Sequence, residues 1–349
     1  IEPIVPAAPV GRGLTRSQRA RRAINATLAA RGFVEVLSFP FASIADLDAM
    51  GVPVDDQRRR LNKIVNPLSE ANPYLRTTLL PGLFTAAVRN ISRGNDDLAL
   101  FEAGSVFFAA DPLLPAPRPS VTQRPSDEEL GAIDRALGRQ PRHLGALLTG
   151  RWLPQGWQGS GVPAGWQQAI AFVEAVGLGV GLHLERRAAE YAPWHPGRCA
   201  EFTLPTGQSI GYAGELHPEV CASFGLPART AAVEIDLDAL VSAAPASGDI
   251  PVISGFPVAK EDVALIVDDE VSAAEVERAL HAGAGPLLES IWLFDIYAGP
   301  QIGEGKKSLA YALRFRAPDR TLTDAEAADA RDHAVAVAAE RTGAVQRTG

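Results

Sequence analysis

From Phe256 onward the apolar pattern alternates between a period of two and a period near 3.6, in the order strand, helix, strand, strand, helix, strand. A βαββαβ order within about a hundred residues is the ferredoxin-like order, and no other stretch of the chain restricts the fold as much. The first strand is expected over Lys260–Val267, the second over Ser290–Tyr297 and the third over Ser308–Arg316. Ser272 and Glu275 form a capping box before the first helix, with Val271 and Val276 placed for a hydrophobic staple. Thr323 and Glu326 repeat the box before the second helix, which is Ala-rich and stops near Gly343; Ala344–Thr348 would close the sheet as an edge strand.

Alternate residues of a strand face opposite sides of a sheet, so each strand sorts its side chains into two sets. Leu309, Tyr311, Leu313 and Phe315 fall on one face of the third strand, as do Val263, Leu265 and Val267 of the first. Strict alternation adds Trp292, Phe294 and Ile296 of the second strand to this bulky set, which should pack beneath the two helices. The opposite face is small and edged with arginine, it carries one Tyr, and no helix of this domain remains to cover it. Ala264, Tyr297, Ser308, Arg314 and Arg316 belong to it, with Lys306 and Lys307 at its rim. A flat face with an aromatic and a basic edge suits unstacked bases and phosphates. The plain alternative is a solvated face with salt-bridged arginines. Ile266 and Leu293 break the polar pattern and are expected to pack on another domain or chain.

Charge limits the RNA reading to a patch. Asp249–Gly349 holds 10 basic and 17 acidic residues, but Lys306–Arg320 holds five basic residues and one acidic. The whole chain, at a net charge of −8, has no general affinity for nucleic acid or membranes. No apolar run reaches a membrane span. Two cysteines, Cys199 and Cys221, with no CxxC fit a reducing, cytoplasmic setting and argue against a structural zinc site.

The rest of the chain reads as one mixed domain and its linkers. Residues 1–14, rich in Pro and Gly, read as a linker from a missing upstream module. Thr15 and Gln18 cap a basic helix running to about Arg31, whose arginines form either a solvated face or a contact for tRNA or an acidic partner. Strands are expected at Phe33–Phe41, Leu61–Val65, Leu98–Phe108, Leu144–Thr149, Leu182–Ala188, Arg198–Leu204, Ile210–Leu216 and Ala231–Leu237. Helices are expected at Ser43–Met50, Pro81–Ser92, Ser126–Gly138, Trp166–Val176 and Pro218–Phe224. Trp152–Trp166 reads as loop, and Trp194–Gly197 as a connection between strands. Many strands joined by short turns predict an antiparallel sheet flanked by helices, filling residues 15–240. The small-residue stretch 241–251 is the expected linker, and 252–349 the ferredoxin-like domain.

Both regions resemble one family. FPVAKEDVALIV and LFDIYAGPQIGEGKKSLAYALRFRAPDRTLTD, with the helix after them, resemble the anticodon-binding domain that ends the bacterial phenylalanyl-tRNA synthetase β subunit. RGFVEVLSFPF, NPLSEANPYLRTTLLPGLF, LALFEAGSVF, WHPGRCAEF, GELHPEV and AVEIDLDAL resemble its catalytic-like module. The resemblance implies an α+β chain: a class II synthetase-like antiparallel sheet with flanking helices, catalytic-like but inactive, followed by the ferredoxin-like domain. It further implies an α2β2 assembly in the cytoplasm, in which the α subunit attaches phenylalanine to its tRNA using ATP and Mg. This chain would supply packing and grip the anticodon stem-loop, with no catalytic residue, metal or cofactor of its own. By strand position, the family's base-contacting residues correspond to Ala264, Tyr297 and Ser308.

A working class II site needs arginines against the α- and γ-phosphates of ATP. Phe108 stands at the position that resembles the first, and the acidic, apolar run Ile235–Leu240 occupies the segment that would carry the second. Other motifs fail on spacing. Gly299–Ser308 is not G-x-x-x-x-G-K-[ST], and Gly177-Leu-Gly179-Val-Gly181 lacks the third Rossmann glycine. His195 and His217 each precede Pro and read as turn-fixing residues, and Asp268-Asp269-Glu270 as a solvated turn. Two alternatives stay open: a single-chain class II phenylalanyl-tRNA synthetase, and a non-enzymatic RNA-binding or assembly module.

Overall fold

The computed structural model describes residues 11, 13–112, 114–245 and 254–347. The chain divides into two compact units, Ile1–Gly248 and Asp249–Gly349. Most of the expected linkers, 1–14 and 241–251, and Arg12 lie outside the described residues.

The first unit is built on a seven-stranded sheet. Its elements are α1 (Arg16–Ala30), β1 (Val34–Glu35), β2 (Phe41–Ala42), α2 (Ile44–Ala49), β3 (Tyr74–Leu75), α3 (Leu80–Ile91), β4 (Leu98–Ser105) and α4 (Asp127–Ala136). They continue with β5 (Arg142–Thr149), β6 (Arg151–Leu153), β7 (Val162–Pro163), α5 (Trp166–Gly179), β8 (Glu185–Ala188), β9 (Trp194–Thr203), β10 (Ser209–Leu216), α6 (Pro218–Phe224), β11 (Ala231–Asp236) and α7 (Leu237–Ala243). The strand order is β1-β4-β5-β11-β10-β9-β8. Every ladder is antiparallel except β1 with β4.

Alternation makes this sheet a wall between two cores. Leu144, Ala146 and Leu148 of β5, with Val233 and Ile235 of β11, face a core shared with α1, α5 and α7. Leu147 and Ala232, one residue out of phase, face a second core with α3 and α6. Buried on both sides, the central strands read as continuous apolar runs, which makes them legible in the sequence. The cap on α1 is a true box, each of Thr15 and Gln18 bonding the other's backbone N–H.

Five expectations for this unit need correction. The strand expected at Phe33–Phe41 follows β4 only briefly and then leaves the sheet, so Leu37 and Phe39 are exposed. Leu61–Val65 is not a strand; Lys63 makes an isolated bridge to Tyr74, the Ile64 N–H donates to the Pro73 carbonyl, and the Asn62 carbonyl accepts from the Leu75 N–H. Pro67 and Pro73 flank it, and proline cannot donate to a ladder. Trp194–Gly197 is the first part of β9 rather than a connection, and the stretch read as loop after Trp152 holds the β6–β7 hairpin. Residues 241–243, placed in the linker, complete α7, which Asp236 caps by accepting from the Ala239 N–H.

The second unit comprises β12 (Ala259–Asp268), α8 (Ala273–Ala284), β13 (Leu288–Tyr297), β14 (Lys306–Phe315), α9 (Asp324–Thr342) and β15 (Val345–Gln346). The sheet order β13-β14-β12-β15, all antiparallel, is the ferredoxin-like arrangement. Both capping boxes form, and α9 ends on Gly343 in the left-handed region, where a side chain would be strained. Val263, Leu265, Val267, Leu309, Tyr311, Leu313 and Phe315 are buried against α8 and α9.

One strand departs from strict alternation. In β13, Leu288 pairs with Phe315 but Ser290 with Arg314, and Leu293 pairs with Tyr311 but Asp295 with Ala310. Each skip is a β-bulge, an extra residue that reverses the parity of the residues after it. Ile291 and Leu293 therefore pack on the helix side, and Trp292, expected in the core, stands opposite Ala312 on the other face. Phe294 and Ile296, also expected in the core, are 54% and 58% exposed on this edge strand. Leu293 is thus no misfit on the open face, because it is not on that face.

Candidate nucleic-acid interface

The helix-free face of the second unit is built from the β12, β13 and β14 residues that alternate with its core. Its middle is small: Ala264 of β12 lies in register with Ala310 of β14, and Ala312 follows two residues on, opposite Asp262. Small side chains keep the backbone relief low, which lets a planar group approach the sheet closely. Two aromatics border this floor. Tyr297 stands beside Ser308 and is half-buried; Trp292 stands beside Ala312 and is 43% exposed. Along β14 the two positions are four residues apart, about 13 Å at roughly 3.3 Å per residue.

The site residues read from sequence fare differently from one another. Ala264 and Tyr297 share the open face; the Tyr297 ring reaches towards Gly299, where any side chain would collide with its hydroxyl. The Arg347 guanidinium lies 5.6 Å from the centre of the Tyr297 ring, a cation–π arrangement joining the two edges of the sheet. Ser308 is also on this face but only 4% exposed, flanked by Tyr297 and Ile266. Lys306 is exposed, 3.8 Å from the Asp268 carboxylate. Lys307 has the opposite parity, and its ammonium donates to the Asp269 carbonyl.

The two arginines also separate. Arg314 lays its guanidinium 4.5 Å from the Trp292 ring centre and 3.9 Å from Asp262. Arg316 is taken up by its own domain: it donates to the carbonyls of Ser254 and Phe256 and pairs with Glu289. Trp292 is the residue that sequence reasoning misplaced. The only available signal was Leu293, an apolar residue out of phase with its neighbours.

The first unit holds a cavity of about 400 Å³ on its sheet, lined by Arg58, Phe108, Arg139, His143, Tyr191, Tyr212, Glu234 and Asp236 among others. Its charged groups are mostly bound to one another. Arg58 and Asp56 form a nearly buried pair at 2.8 Å, and Arg58 also stacks on Tyr191 and donates to the Ala192 carbonyl. Burial alone would raise the Asp56 carboxyl, but Arg58 more than offsets this and holds it below its ordinary value. Burial pushes the Tyr191 phenol up to about 12. Burial also opposes ionisation of Glu234, yet bonds from His143, Thr78 and the Leu79 N–H keep its carboxyl below the ordinary range. Phe108 carries the face of the exposed Arg139, with its guanidinium 5.3 Å away. Asp236 caps α7, and Asp238 accepts from the Arg142 N–H. Among the described residues there is no cluster of His, Cys, Asp and Glu that could hold a metal ion, and no helix long and apolar enough to cross a membrane.

Comparison with known proteins adds the family. Residues 1–237 match the model of the phenylalanyl tRNA synthetase beta chain CLM domain, and residues 254–347 match that of the ferredoxin-fold anticodon binding domain. The chain is 53% identical to the phenylalanine–tRNA ligase beta subunit of Cutibacterium acnes over all of this chain and 41% of that protein. It is 54% identical to that of Thermobifida fusca over 99% of this chain and 42% of that protein. The chain thus spans about two fifths of the length of the curated relatives it matches. Among solved structures, pyrrolysyl-tRNA synthetase from Desulfitobacterium hafniense gives a TM-score of 0.44 at 12% identity, over 64% of this chain and 68% of that one.

Proposed function

The chain belongs to the phenylalanyl-tRNA synthetase β chain family, and from that premise we propose that it grips tRNA for a ligase whose ATP chemistry is done by another subunit. The open face of the β12–β14 sheet carries this reading, with Tyr297, Ala264 and Lys306 meeting the anticodon loop of phenylalanine tRNA. Tyr297 offers a stacking surface, the alanine floor lets a base lie close, and Lys306 supplies charge at the edge. Ser308, nearly buried, would reach RNA only at the margin of the Tyr297 ring.

In the same reading, the first unit is a class II synthetase-like domain without a working site. Its cavity does not fit a triphosphate with magnesium. Arg58 is already neutralised by Asp56, Phe108 fills the position of a phosphate-binding arginine, and the Glu234 and Asp236 carboxylates would repel the anion. ATP, Mg and phenylalanine therefore belong to the α subunit of an α2β2 assembly. Leu37, Phe39, Val65 and Leu68, each more than 80% exposed, give the first unit apolar surface of the kind that a partner subunit covers.

Two measurements on the purified chain test this. It should give no pyrophosphate exchange with phenylalanine and ATP, and it should bind the anticodon stem-loop of phenylalanine tRNA. Robust exchange, or a stem-loop titration with no binding, would overturn the corresponding half of the proposal.

A further inference from the structure

We propose that Trp292 and Arg314 form a second base-stacking platform on the same face, holding a loop nucleotide other than the one at Tyr297. The inference rests on the RNA reading of this face but goes beyond the residues which that reading names. Three observations carry it. The bulges in β13 turn Trp292 out of the core and onto the floor side, opposite Ala312. A large aromatic that could have been buried is instead left 43% exposed, which burial energetics alone does not favour. Arg314 then lies against the ring at 4.5 Å, donates to the Leu313 carbonyl and keeps a long 3.9 Å contact to Asp262, so it lacks the close carboxylate that Arg316 has in Glu289.

An aromatic face and a guanidinium plane are the two surfaces on which unpaired bases stack. Arg314 orients the ring and offers a cation to the adjoining phosphate. The spacing between platforms suits this use. About 13 Å from Tyr297 to Trp292 is about four steps of a stacked strand at roughly 3.4 Å per nucleotide, and fewer if the strand is extended. One short loop can thus reach both aromatics, with intervening bases over Ala264 and Ala310. The ligand is a single-stranded RNA loop; a protein strand added at the β13 edge would pair with its backbone and set side chains beside Trp292, and its loss in W292L would couple to no base.

The test uses the whole chain and the phenylalanine-tRNA anticodon stem-loop as probe, with single abasic substitutions at each loop position. W292L keeps apolar bulk without a π face, and W292F keeps a ring. W292L should bind about 5- to 150-fold more weakly, the range that corresponds to one lost base–aromatic stack, while W292F retains most of the affinity. One abasic position should weaken the unchanged chain but cost W292L nothing further, and a different position should behave so with Y297L. Unchanged affinity of W292L would overturn the platform, as would a loss coupled to no single base, which marks a merely structural Trp. If the unchanged chain fails to bind the stem-loop, the RNA reading of the face falls and takes this inference with it. That outcome is separable because Y297L is then silent too.

Discussion

Both units set arginines and aromatic rings on the surface of an antiparallel sheet, yet they use them in opposite ways. In the first unit Arg58 is bound by Asp56, stacked on Tyr191 and bonded to a carbonyl, and Glu234 has three donors of its own. These groups complete one another, so little is left for a ligand. In the second unit Lys306 has only a distant partner, Arg314 shares its charge with an exposed ring, and Tyr297 and Trp292 border a floor of alanines. Residue type therefore does not mark a binding surface. The distinction lies in whether polar groups are already satisfied, because an unsatisfied or solvent-facing group gains from a ligand and a saturated one must first give up a partner.

The contrast can be broken most forcefully in the first unit. Arg58→Ala leaves Asp56 charged and nearly buried, and should destabilise that unit by about 3–5 kcal/mol, the usual cost of removing one partner of a buried pair. Urea unfolding would show this, while stem-loop affinity measured below the transition stays unchanged; a loss of under 1 kcal/mol would mean that the pair is not saturated as described.

Glu234 gives a pH-dependent form of the same test. Its folded carboxyl titrates below its unfolded value, so it contributes stability above the unfolded value, and that contribution is lost as pH falls through the lower, folded one. Glu234→Gln should cost about 1–3 kcal/mol near neutrality and flatten the stability profile across the acid range, as followed by thermal melts from neutral to acidic buffer.

On the open face the expected effects are smaller and appear in binding. Tyr297→Ala should weaken stem-loop binding by about 1–3 kcal/mol through lost stacking, with the unfolding midpoint nearly unmoved. Smallest is the charge at the edge. Lys306→Ala should lower the slope of log affinity against log salt by about 0.7, one phosphate contact to a single strand. Arg316→Ala should leave that slope alone and lower the stability of the second unit, because its guanidinium holds Ser254, Phe256 and Glu289. If the Lys306 and Arg316 variants exchange these behaviours, the assignment of free and spent cations is wrong.

The amino-acid sequence by itself determined the order of elements in the second unit, the capping boxes at Ser272 and Thr323, and the helix-facing sides of β12 and β14. These come from short-range rules: side chains alternate along a strand, and a cap needs its partner three residues away. Tertiary structure alone decided the rest. The bulges in β13 depend on how that strand pairs with β14, so along the strand itself only the out-of-phase Leu293 hinted at the face Trp292 would take. Ser308 is covered by neighbours on two other strands, and Arg58 meets Asp56, Tyr191 and Ala192 only once distant segments converge. Pairing register and charge saturation are properties of partners, and a pattern read along one strand cannot contain them.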